Sequence, residues 1–209
     1  TAFAAVTLTS QADEPVGQPV LVELFANQNC SACPQAHRTM KEVQDTRSDV
    51  LVLTWVVDYW DYLGEPDPMA LPESKARQAA YADWLALRAP YTPQSVYNGV
   101  KECPGPRRKQ VLDNITALAD APKTGFSLPE ADGLISVASI TAQDGLRLLR
   151  VDYLPAKAHD TGMVNPVVGV TDLTGLQGVA HECQSDCAVL LQSFESGEVF
   201  AFWQPEAKN

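Results

Sequence analysis

The sequence predicts an α/β protein: a central mixed sheet flanked by helices, followed by a β-rich C-terminal annex. Three observations carry that prediction. Short apolar runs at residues 19–26 and 50–57 read as strands buried on both faces. Stretches with helical spacing follow each of them, and such alternation implies a partly parallel sheet covered on both sides. Beyond Ala121-Pro122-Lys123-Thr124-Gly125 the pattern changes to strands punctuated by turns.

Taken in order, Pro19 to Ala26 is the first strand, bounded by Gly17 and by polar Asn27-Gln28-Asn29. From Ser31 to about Arg47 the chain is expected to be helical, with Ala32, Ala36, Met40 and Val43 on one stripe. Pro34 falls in the first turn, where its missing N–H costs nothing. Val50 to Val57 is the second strand, and a loop rich in Pro, Asp and aromatic residues runs from Asp58 to Leu71. A second helix is expected from Pro72 to about Arg88. Asn98-Gly99, flanked by Ser95-Val96-Tyr97 and Val100-Lys101-Glu102, is a strong hairpin signal. Lys109 to Ala119 reads as a third helix with Val111, Leu112, Ile115 and Leu118 on its apolar side. The order β-α-β-α-β-β-α, closing on a hairpin and a helix, is that of the thioredoxin fold.

The annex is expected to hold strands at Leu134–Ile140, Leu146–Leu154, Val167–Val170, Cys187–Phe194 and Glu198–Trp203, with turns at Asp144-Gly145 and Ser196-Gly197. Residues 1–18 read as an extension or linker, 19–122 as the thioredoxin-like core and 123–209 as the annex packed on it.

Composition narrows the function classes. With 45% apolar and 20% charged residues the chain resembles an ordinary globular protein with a packed core. A net charge of −11 opposes sequence-independent nucleic-acid binding, which needs clustered cations; Arg107-Arg108-Lys109 reads as a solvated helix face. No apolar stretch reaches the roughly 20 residues needed to span a bilayer. Thr1-Ala2-Phe3-Ala4-Ala5-Val6 resembles the end of a signal peptide, so a periplasmic or secreted location is expected. The sequence sets no oligomeric state.

Four of the five cysteines form close pairs, Cys30/Cys33 and Cys183/Cys187, and Cys103 is left over, either buried and inert or a third participant. The Cys30-Ser31-Ala32-Cys33 motif lies between a buried strand and a helix. Its first cysteine sits at a helix N-terminus, where unpaired N–H groups and the positive dipole end favour a thiolate. Cys30 is therefore the expected nucleophile and Cys33 the resolving thiol. This chemistry needs no cofactor, and its partners would be protein or small-molecule thiols and disulfides.

Pro93, in Tyr91-Thr92-Pro93 before the hairpin, is expected to be the cis-proline that lies against such a motif, with Thr92 beside it offering contacts to a substrate chain. Glu23, a carboxylate in an otherwise apolar strand, is a candidate proton acceptor for Cys33, although one more residue separates it from the motif than in thioredoxins. Asp58, at the end of the second strand, is the alternative. Tyr59, Trp60 and Tyr62 are candidates for the wall of a substrate groove, or else cap the core beneath the annex. His37, one turn beyond Cys33, opens a metal-binding alternative in which Cys30, Cys33 and His37 hold Cu(I) or another soft ion. A zinc site formed by both cysteine pairs is a further option. Cys183 and Cys187 flank a short polar turn and are read as a structural disulfide, a relay between redox pairs being the alternative.

These motifs, taken together, resemble one family. Val22-Glu23-Leu24-Phe25, Cys30-Ser31-Ala32-Cys33-Pro34, Val57-Asp58-Tyr59-Trp60-Asp61-Tyr62-Leu63-Gly64, Asp67-Pro68, Arg77-Gln78, Tyr81 and Tyr91-Thr92-Pro93-Gln94 are similar to the thioredoxin-like secreted bacterial proteins grouped as domain of unknown function 1223. The likeness runs from about residue 20 to 100. It implies a thioredoxin-like fold and export, and no particular substrate. Asn29 departs from the small residue usual before the motif, and Cys103, Cys183 and Cys187 lie outside the pattern. A thiol–disulfide oxidoreductase is the leading expectation; the metal-binding protein and a non-catalytic binding module with a static disulfide are the alternatives.

Overall fold

The computed structural model describes residues 19–121, 130–131, 134–136, 145–155, 161–175, 180–181 and 186–204. The expected N-terminal extension over 1–18 lies outside the described residues.

The first sheet has the order β2-β1-β3-β4, built from β1 (Val20–Ala26), β2 (Val50–Val56), β3 (Gln94–Tyr97) and β4 (Lys101–Pro104). β1 and β2 run parallel, Val20 opposite Val50 through Ala26 opposite Val56. β3 is antiparallel to β1 and β4 to β3. The parallel pair needs a crossover, supplied by helix α1 (Cys33–Thr46). α2 (Pro72–Trp84) follows β2, and α3 (Arg108–Ala119) follows the hairpin. In the hairpin turn Asn98 and Gly99 both take positive φ, 44° and 70°, as a primed turn requires.

Strand alternation assigns the two faces of β1 to different cores. Val20, Val22, Leu24 and Ala26 join Ala36, Met40 and Val43 of α1 and Val111 and Ile115 of α3, together with Cys30 and Cys33. Leu21 and Phe25 face the other way, onto Leu51, Leu53 and Trp55 of β2 and Tyr81 of α2. The second core also takes side chains from a second sheet of order β11-β10-β7-β8: β7 (Leu146–Tyr153), β8 (Val167–Asp172), β10 (Cys187–Ser193) and β11 (Val199–Trp203). A small ladder of β5 (Glu130–Ala131), β6 (Leu134–Ser136) and β9 (Ala180–His181) completes the strands among the described residues.

Two contacts join the sheets. The outer edge of β2 is occupied by the segment before β8: Thr54 donates its N–H to the Asn165 carbonyl (3.1 Å) and its hydroxyl to the Val164 carbonyl (2.7 Å). At the far end the Asn98 carbonyl accepts the Val199 N–H (2.9 Å). Gly197 there has φ +73°, and a Cβ on it would lie 2.2 Å from the Trp84 ring, so the β10–β11 turn closes on α2 only with glycine.

Candidate functional site

The site grows from the C-terminal end of β1. Asn27 is buried there because its side chain has work for both ends: Nδ2 donates to the Val57 carbonyl (2.7 Å) and Asp61 (2.9 Å), and Oδ1 accepts the Asn29 N–H (2.8 Å). A tight turn follows, with the Cys30 N–H on the Asn27 carbonyl (3.1 Å) and the Cys33 N–H on the Cys30 carbonyl (3.0 Å). α1 begins at Cys33 with Pro34 in its first turn, no side-chain cap and no acidic residue in that turn. The positive end of its dipole is therefore left for the two sulfurs. Cys30 and Cys33 form a disulfide with Cα atoms 5.4 Å apart, and at 6% and 1% exposure both are nearly enclosed by the first core.

The Thr92–Pro93 peptide is cis, as the sequence leads one to expect. Phe25 opposes Gln94 in register, so Pro93 lies beside Ala26, where the turn to Cys30 starts. The Gly105 N–H bonds the Pro93 carbonyl (3.0 Å), and a Cβ on Gly105 would come within 2.8 Å of the Ala36 methyl. Glycine thus lets the end of the hairpin press against α1 one turn beyond Cys33.

The three aromatic candidates separate. Trp60 packs against the core that holds the disulfide, and its Nε1 donates to the Thr92 hydroxyl (2.6 Å), tying the loop after β2 to the cis-proline segment. Tyr62 is 76% exposed and stacks on Trp60 with ring centroids 6.1 Å apart. Tyr59 packs toward the opposite core and donates its hydroxyl to Gln78 (3.0 Å), which in turn bonds the Tyr91 carbonyl (2.8 Å) and Gln94 (2.9 Å). Burial pushes the Tyr59 phenol up.

Glu23 requires a correction. It is fully buried, but on the face of β1 shared by Leu21 and Phe25, away from Cys33. Its carboxylate is taken by Arg77, Nε to Oε1 at 2.5 Å and Nη2 to Oε2 at 3.0 Å, and by the Tyr81 hydroxyl. Arg77 also bonds Gln192 (3.1 Å) and lies 4.9 Å over the Trp55 ring. Burial alone would pull its guanidinium down, but Glu23 and Tyr81 outweigh that and hold it up. Glu23 is thus held by Arg77 and Tyr81 on the face of β1 turned away from Cys33, not beside the thiol it was expected to serve. The alternative, Asp58, faces Lys75 at 3.5 Å, half-exposed. Sequence reasoning named Arg77 only within the family pattern and missed both its pairing with Glu23 and Gln192; the signal was the lone carboxylate in an apolar strand, a charge that has to find a partner.

His37 and Cys33 share a cleft of about 500 Å³ with Asn27, Gln28, Pro34, Arg38, Lys41 and residues 161–163. Burial pulls the imidazole down from its ordinary 6.5 to about 4, against the opposing charge of Asp67, and its Nδ1 is buried without a partner. With Cys30 and Cys33 joined as a disulfide, no three of His, Cys, Asp and Glu gather as a metal site among the described residues. Cys103 is a buried free thiol 3.2 Å from the Tyr97 hydroxyl. Cys187 is disulfide-bonded; Cys183, the partner read for it from the sequence, lies outside the described residues.

The family model described as protein of unknown function (DUF1223) matches residues 21–154, well over half of the chain. The chain belongs to that family. Two solved structures are similar to this DUF1223 chain. A protein of Agrobacterium tumefaciens determined by X-ray crystallography is 24% identical, with a TM-score of 0.69 over 95% of this chain and 99% of that one. HBP35 of Porphyromonas gingivalis is 12% identical, with a TM-score of 0.52 over 93% and 79%. At these identities the likeness is one of fold alone. No curated protein matches. No helix among the described residues is long and apolar enough to cross a membrane.

Proposed function

We propose that this DUF1223 protein is a thioredoxin-fold thiol–disulfide oxidoreductase of the cell envelope, acting on protein or small-molecule disulfides. The observation that carries the proposal is the Cys30–Cys33 disulfide at an uncapped helix N-terminus, next to a cis-proline segment held by Trp60. In the reduced enzyme the Cys30 thiolate attacks a substrate disulfide; one substrate sulfur leaves as a thiolate and takes up a proton. Cys33 then gives up its proton and attacks the Cys30 sulfur, and the second substrate sulfur leaves. The substrate gains two electrons and two protons, and the enzyme ends as the disulfide. Run in reverse, the same steps oxidise a dithiol. Pro93 and Thr92 are the backbone platform for the substrate chain, and Trp60 and exposed Tyr62 are the wall above it.

The test is equilibration with reduced and oxidised glutathione, with Cys30→Ser as control. The expected result is Cys30-dependent exchange at a potential between about −120 and −270 mV, the span of known oxidoreductases. A pair that stays oxidised in excess thiol and exchanges with nothing would overturn the proposal.

A further inference from the structure

If Glu23 serves the opposite face of β1, Cys33 needs another polar neighbour, because it is almost wholly buried and must carry negative charge whenever it resolves a mixed disulfide. The helix supplies one. His37 follows Cys33 by four residues on α1, so the two side chains share a face. Side chains of a helix lean toward its N-terminus, which tilts the imidazole back over the turn that contains Cys33. Both residues line the same cleft. In the oxidised protein His37 Nδ1 is buried with nothing to bond. A buried nitrogen without a partner is costly, and disulfide sulfur is a weak acceptor, whereas the broken bond leaves Cys33 as a thiol that becomes a thiolate, a strong acceptor, when it resolves a mixed disulfide.

We propose that His37 donates a hydrogen bond from Nδ1 to the Cys33 sulfur when the pair is reduced, strongest as that thiol gives up its proton, and thereby makes the couple more oxidising. This rests on the redox reading of the same site. Stabilising the reduced form raises the potential of a dithiol pair, so the interaction, present in one redox state and absent in the other, acts directly on the equilibrium. A neutral imidazole has one donor and one acceptor nitrogen, and the neutral form suffices. The charged groups around it are Arg38 and Lys41 on α1 and Asp67 on the loop after β2; Thr161, Gly162 and Met163 bring no titratable side chain. Arg38 is engaged by Gln35 and Lys41 by Asp45, which leaves His37 as the neutral donor in the cleft nearest Cys33 along the helix. In the disulfide form burial holds its pKa down to about 4, so the imidazole is neutral there.

The experiment is glutathione equilibration of the wild type, His37→Leu and His37→Asn. His37→Leu is expected to shift the equilibrium about tenfold toward the disulfide, roughly 30 mV more negative, while His37→Asn, whose amide N–H falls near the position of Nδ1, recovers most of it. Exchange in the wild type with no change in His37→Leu would overturn this inference and leave the oxidoreductase reading standing. His37→Asn behaving like His37→Leu would overturn it too. Absence of exchange in the wild type would overturn both. The wild type alone gives a second readout: the ¹⁵N resonance of His37 Nδ1 is expected to move on reduction, and an unmoved resonance refutes the bond.

Discussion

Replacing Arg77 by Met is the sharpest test of the role assigned to Glu23. The pair is out of solvent, with side-chain exposures of 5% and 1%, so water and salt screen neither partner. Removing the guanidinium strands a buried carboxylate that keeps only the Tyr81 hydroxyl, and it also deprives Gln192 of one donor. Orphaning one member of a buried pair costs about 3–5 kcal/mol. For a protein of this size each kcal/mol lowers the melting temperature by about 2–4 °C, so a fall of about 10 °C is expected. Urea unfolding of the wild type, Arg77→Met, Glu23→Leu and the double variant measures it. The double variant removes both charges, and is expected to recover most of the loss because no ion is left unpaired. The glutathione equilibrium of Cys30–Cys33 is expected to stay at its wild-type position in every variant that folds. A double variant as unstable as the sum of the singles would refute the pairing argument. A retained fold with a changed redox equilibrium would return Glu23 to the site.

Other outcomes follow from the same coordinates. Trp60→Phe keeps the ring but loses the bond to Thr92, and is expected to cost about 0.5–1.5 kcal/mol in urea unfolding and to weaken exchange with a peptide disulfide; unchanged exchange would leave Trp60 a packing role only. His37 has a folded pKa of about 4 against 6.5 unfolded, so between those values the unfolded chain binds the extra proton. Stability should therefore be full above about pH 6.5 and fall, by about 3 kcal/mol in all, as pH drops to about 4; His37→Gln should flatten that slope in pH-dependent unfolding. Gly197→Ala should destabilise by about 1–3 kcal/mol, since the added methyl meets the Trp84 ring at a positive φ, and a melting temperature within a degree of wild type would contradict the packing described.

Much of this architecture could be read from the residues because local and global preferences agree. The continuous apolar runs are central strands, the Asn98-Gly99 pair makes the hairpin turn, and the annex strands over 146–154, 167–170, 187–194 and 198–203 all appear within a residue or two of expectation. What stayed hidden has specific causes. α2 ends at Trp84 rather than Arg88 because Ala86 takes φ +52° and the Leu87 N–H returns to the Ala82 carbonyl (2.8 Å), a helix stop usually marked by glycine. β8 runs on to Asp172 although its outward side chains carry little apolar signal. Glu23 was misassigned through strand parity: one residue more before the cysteines turns a side chain to the other face, and Leu24 points where a proton acceptor was sought. The reach of Trp60 to Thr92 spans 32 residues and leaves no trace in spacing.

The strip of chain bonded along β2 has a consequence for how this protein would tolerate trimming. Val50-Leu51-Val52-Leu53-Thr54-Trp55-Val56 is an uncharged heptapeptide rich in β-branched residues, the composition from which intermolecular cross-β stacks are built. In the intact chain its outward N–H and C=O groups at Thr54 and Val52 are bonded by Asn165, and its inward face lies under β7 and β10. A fragment ending near residue 121 would keep the cysteine pair, the cis-proline and all three helices, and yet expose that heptapeptide along its length. Such a fragment should assemble into insoluble polymer rather than persist as a minimal folded core, so the strands beyond residue 145 act as a built-in guard against self-association.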